Sequence, residues 1–92
     1  MKVENMTGNN GNKIANQFIL TDSNGGEYFQ SYDRIIARRE ISSECDEITL
    51  DRNYWNYSST TSKYRNRFLG ETTKDTQAKI DSGEYTLTDL NK

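Results

Sequence analysis

Histidine and proline are both absent from this chain of 92 residues. Without histidine, the commonest general base and the commonest zinc ligand are missing. The single cysteine, Cys45, rules out an internal disulfide, and with it the disulfide scaffold of small secreted domains. No apolar run exceeds four residues, so no segment reads as a membrane-spanning helix. The opening residues, Met1 to Met6, carry no apolar stretch, which predicts a chain without a signal peptide and a cytoplasmic location. Aliphatic residues are also scarce. The hydrophobic share is 32%, and Leu, Ile, Val and Phe together make up less than a fifth of the chain. A net charge of only −2 argues against disorder all the same. Six tyrosines, three phenylalanines and one tryptophan must then supply much of the packing. The length fits one domain, 1–92, with a thin core that a partner or a second copy would complete.

Two turn signals stand early, Gly8-Asn9-Asn10-Gly11 and Asp22-Ser23-Asn24-Gly25-Gly26. The segments beside them read as strands. In 13–21, Ile14, Phe18 and Leu20 fall on one face and Gln17 and Ile19 on the other. Segment 27–38 reads as one strand whose alternation a bulge near Asp33 resets. Residues 2–7 form a short opening strand, 39–47 a polar loop, and 48–50 a further strand. After Asp51 the pattern turns helical. Ser58 to Ser62 offer N-caps for a helix over 60–69, which Gly70 ends. Thr72 or Thr73 caps a second helix through about Ser82, with Asp75 in its first turn and Gly83 past its end. Residues 85–88 form the last strand. The expected fold is α+β, a small antiparallel sheet of about five strands with two short helices between the last two strands.

Charge is segregated along this order. Glu40, Glu44, Asp46, Glu47 and Asp51 form an acidic stretch. Residues 52–69 then hold Arg52, Lys63, Arg65 and Arg67 with no acid, together with five aromatic residues. The acids lack the spacing and glycine of a calcium loop, so no metal is expected. They suit a basic protein surface, the alternative being a solvated loop. In the basic stretch, Arg52, Lys63, Arg65, Arg67 and Tyr57 suit nucleic acid, cations on phosphates and rings on bases. The alternative is that Tyr54, Trp55, Tyr57, Tyr64 and Phe68 are core under the helix. A pI near 5.1 weighs against a dedicated nucleic-acid binder. Cys45 has no base to activate it, and its acidic neighbours disfavour the thiolate. No phosphate loop is present. No catalytic residue and no cofactor are expected.

Four segments carry a resemblance: Asn16-Gln17-Phe18-Ile19, Tyr28 to Tyr32, Tyr54 to Ser58, and Lys63 to Gly70. From Gly11 to Asn91 the chain resembles a family of small proteins of unknown function found in bacteriophages and mobile elements of Gram-positive and gut bacteria. The resemblance implies a phage protein in a host bacterial cytoplasm, and it transfers no catalytic motif. In size, charge and bareness the chain is similar to anti-CRISPR proteins. The expected function is therefore non-enzymatic: an inhibitor of a host defence complex such as a CRISPR effector, docking through Glu40, Glu44, Asp46, Glu47 and Asp51. The alternatives are a small nucleic-acid-binding module and a structural protein that assembles with itself, a homodimer included.

Overall fold

The computed structural model describes residues 2–8, 10–41 and 46–91, with Ile41 and Asp46 described by their backbone alone. Five strands run as a meander: β1 (Lys2–Thr7), β2 (Lys13–Thr21), β3 (Glu27–Ser31), β4 (Arg34–Ile41) and β5 (Asp46–Asp51). Two helices follow, α1 (Ser59–Leu69) and α2 (Thr73–Asp81), and β6 (Thr86–Thr88) comes last. The sheet order is β1-β2-β3-β4-β5-β6. Neighbours are antiparallel except β5 and β6, which are parallel. The fold is α+β, but the sheet has six strands rather than about five, and it is mixed. The parallel pair follows from the crossover. A chain that returns to the sheet beside β5 in the same direction needs a long connection, and α1 and α2 supply it.

Both expected glycine turns form. Gly11 and Gly25 take the left-handed conformation, at φ 82° and 87°. The Asp22 carboxylate accepts the amides of Asn24 and Gly26 at 2.9 and 2.8 Å, closing the second turn. A third turn carries no glycine. Tyr32 and Asp33 reverse the chain between β3 and β4, with Tyr32 itself left-handed at φ 58°. Its amide donates to the Asn16 carbonyl at 2.7 Å and its own carbonyl accepts from Gln30 Nε2 at 2.7 Å, which hold a conformation costly for a bulky residue. Segment 27–38 is therefore a hairpin and not one bulged strand. The bulge lies later, at Ile36: Phe29 pairs with Ala37 and Gln30 with Ile35. It lets the consecutive residues Ile36 and Ala37 both be buried.

The expected loop over 39–47 is also corrected. Arg39 pairs with Ile48, Glu40 with Glu47 and Ile41 with Asp46, so the β4–β5 ladder runs through most of it. Glu44 and Cys45 lie outside the described residues.

The helices begin and end on their capping residues. Ser58 accepts the Thr61 amide, and Gly70 closes α1 at φ 72°. Thr72 and Asp75 form a reciprocal capping box on α2. The helices cover one sheet face. Phe68 stacks on Phe29 with centroids 5.9 Å apart, and Thr61 Oγ1 lies 2.9 Å from Ser31 Oγ. Phe29, Ile36, Leu50 and Tyr85 are buried there, with Tyr54, Trp55, Tyr64 and Phe68 packed against the core. Most aromatics of 52–69 are thus core. Ile14 also packs on this side, with Ile19 and away from Phe18 and Leu20, because Asn16 at φ 64° breaks the alternation of β2. Among the described residues no helix is long and apolar enough to cross a membrane.

Candidate functional site

Among the described residues, one whole face of the sheet carries no helix. Direct cross-strand pairing places Val3 beside Leu20, Leu20 beside Tyr28, Tyr28 beside Arg38 and Arg38 beside Thr49, one row across β1 to β5. A second row holds Asn5, Phe18, Gln30 and Ile35. Val3 is 61% exposed, and Phe18, Leu20 and Tyr28 are only partly covered. Arg38 anchors the centre. Its Nε donates to the Tyr28 hydroxyl at 3.2 Å, its guanidinium lies 5.7 Å from the Tyr28 ring, and Nη1 is 3.4 Å from Glu40. The row beyond it pairs Glu40 directly with Glu47, both exposed. Like charges set opposite in a sheet are destabilising. The face is therefore apolar toward β1 and acidic at the far end of the β4–β5 hairpin.

Of the expected protein-docking acids, Glu40 and Glu47 lie on this surface. Glu44 lies outside the described residues, and for Asp46 only the backbone pairing is described. Asp51 is corrected. It is 0% exposed, and its carboxylate accepts four N–H groups: Asn53 at 3.1 Å, Tyr54 at 2.9 Å, Leu90 at 2.8 Å and the Asn91 side chain at 3.0 Å. A saturated buried carboxylate has nothing to offer a partner. It fastens the turn after β5 to the C-terminal segment.

The expected nucleic-acid set also divides. Arg65 is corrected: it is 0% exposed and structural. Its guanidinium donates to the Trp55 carbonyl, to Asn66 Oδ1 at 2.8 Å and to Thr73 Oγ1 at 2.8 Å, and it lies 5.1 Å from the Trp55 ring. Burial pushes its pKa below the usual arginine value, with Glu71 acting in the opposite sense. Arg52 is exposed, and its amide holds the Thr88 carbonyl at 2.7 Å. Tyr57 is 47% exposed, its ring edge-on to Tyr54. Lys63 and Arg67 do come together. One turn apart on α1, they line a groove of about 360 Å³ with Tyr64, facing Gly8 and Ile14 of the first hairpin.

A third cluster lay outside every sequence expectation. Glu71 Oε1 accepts from the Tyr85 hydroxyl at 2.7 Å and from Lys79 Nζ at 2.9 Å, and Glu71 Oε2 accepts from Thr76 at 2.6 Å. Burial alone would raise the Glu71 carboxyl, but these three donors outweigh it and hold it below the usual carboxylate range. The Glu71 hydrogen bond raises Lys79, and burial followed by Glu71 raises Tyr85. Each group satisfies the others, so the cluster ties α2 to the entry of β6. Its members stand 6, 8 and 14 residues apart, and only folding unites them. Among the described residues no three His, Cys, Asp or Glu side chains gather as a metal site.

Residues 1–84 match a family of unknown function (DUF8033). No match was found among curated proteins or among solved structures.

Proposed function

We propose that this chain, which belongs to the DUF8033 family, is a non-enzymatic binding protein that docks on a basic protein surface through its open sheet face. The observation that carries this reading is the uncovered row from Val3 to Arg38, ending beside the Glu40–Glu47 pair. An apolar patch bordered by charged side chains matches the usual anatomy of a protein interface. Arg38 offsets part of the repulsion between the two opposed carboxylates, and cationic side chains of a partner would relieve the rest. The specific form of the proposal is an inhibitor of a host defence complex. There the acids occupy a basic nucleic-acid groove, as an anti-CRISPR protein does.

The test is target cleavage by purified CRISPR effectors titrated with the protein. Inhibition at near-equal concentration is expected, weakened at least about tenfold by the double variant Glu40→Lys/Glu47→Lys, a loss of about 1.4 kcal/mol. Cleavage unaffected by the wild-type protein removes the defence-complex role. Inhibition undiminished in the double variant removes the acidic mechanism.

A further inference from the structure

We infer that the groove between α1 and the first hairpin is a nucleotide site, with the phosphate on Lys63 and Arg67 and the base on Tyr64. The inference is independent of the open face, which lies on the other side of the sheet. Four observations meet here. Lys63 and Arg67 are one helical turn apart and both exposed at the groove. Neither makes an ion pair among the described residues; the same holds for Lys13, Arg52 and Lys74, but those three do not line the groove. Arg67 is positioned by a hydrogen bond to the Thr7 carbonyl, which occupies Nη2 and leaves the rest of the fork to a ligand. Tyr64 and Ile14 add an aromatic surface and an apolar wall, and no acid among the described residues lines the groove.

Two cations, one of them held in place, beside a ring and an apolar wall fit a ligand that is anionic at one end and flat at the other. The volume, about 360 Å³, lies at the lower end of ordinary small-ligand pockets and suits one nucleotide. Lys63 Nζ now lies 5.3 Å from the Tyr64 ring centroid. A phosphate would draw it off the ring and free that face for a base.

The experiment is an amide-resolved NMR titration of the full chain at about 50 mM salt, where phosphate contacts are strong. The probes are inorganic phosphate, adenosine monophosphate, a short oligothymidylate and a glutamate-rich peptide. Expected are shifts at Gly8, Ile14, Lys63, Tyr64 and Arg67 with both nucleotide probes, and binding of phosphate alone at least tenfold weaker. Equal affinity for both nucleotide probes marks a free nucleotide as ligand, and a preference for the oligonucleotide marks a single strand; either outcome supports the site. In the oligonucleotide Lys63 and Arg67 can each neutralise one of two neighbouring phosphates, which predicts a log–log salt slope of about −1.4, falling by about 0.7 in Arg67→Gln. Tyr64→Leu should abolish the preference for nucleotide over phosphate. Spectra unchanged away from the groove establish that each variant is folded. Phosphate binding as tightly as nucleotide, the peptide binding more tightly than either, or no shift at the groove with any probe overturns the assignment.

Discussion

Asp51 and Asn91 lie forty residues apart in sequence and meet in the interior, the Asn91 amide donating to the Asp51 carboxylate at 3.0 Å. The same Asn91 side chain spans Ile35, donating to its carbonyl at 2.9 Å and accepting its amide at 2.7 Å. One carboxylate and one carboxamide thus join the ends of β4 and β5 to the last residues of the chain.

Asp51→Ala leaves the Asn53, Tyr54 and Leu90 amides without their acceptor. It should destabilise the fold by about 3 kcal/mol, read from urea unfolding. Asn91→Ala, which removes the partner but keeps the carboxylate on its three backbone amides, should cost less, about 1–2 kcal/mol. Costs that simply add in the double variant would mean that the two residues act independently.

Arg65→Lys keeps the charge but cannot reproduce the fork that reaches Trp55, Asn66 and Thr73. A loss of about 2–4 kcal/mol is expected on thermal or urea unfolding. The salt dependence of any nucleotide binding should stay as in the unaltered chain, because Arg65 touches no surface.

The Glu71 cluster sets two pH limits. The Glu71 carboxyl is lowered in the folded state, so its contribution is full above about pH 4.5 and is lost as pH falls further. Tyr85 and Lys79 are raised, so theirs is full below about pH 10 and is lost as pH climbs through the folded values. Unfolding free energy measured against pH should show both limbs. Glu71→Gln should flatten the acid limb and shrink the alkaline one.

The two sheet faces should respond oppositely to substitution. Phe29→Ala removes a fully buried ring stacked on Phe68 and should cost about 3–5 kcal/mol. Leu20→Lys on the open face should cost less than about 1 kcal/mol and weaken partner binding instead. Comparable destabilisation by both would mean that the open face is core.

The parts of this fold that sequence reveals are those with local chemistry. Ser58, Gly70, Thr72 and Gly83 mark the helix ends because capping depends on a few adjacent residues. Gly11 and Gly25 mark two hairpins for the same reason. The third hairpin is hidden, since Tyr32 owes its left-handed backbone to Asn16 across the sheet rather than to its own side chain. The same Asn16 conformation moves Ile14 to the helix side. Among the charged residues, formal charge does not tell surface from interior. Asp51 and Arg65 read as contact residues and prove to be buried hubs, because their partners are backbone groups and neutral side chains whose proximity only the tertiary fold creates. Lys63 and Arg67 share a face for a local reason, the helical repeat, and that pairing is legible.

The parallel strand β6 is only three residues long, and β5 and the two helices precede it in the chain. The five-strand meander can zip up from neighbouring hairpins, while β6 must wait for the helical crossover to deliver it. Whenever this late latch lifts, Thr49–Asp51 loses its partner and becomes a bare sheet edge, with backbone donors and acceptors open to a strand from another molecule. The short strand is then a guard against strand exchange at this one edge, while β1 forms the opposite edge.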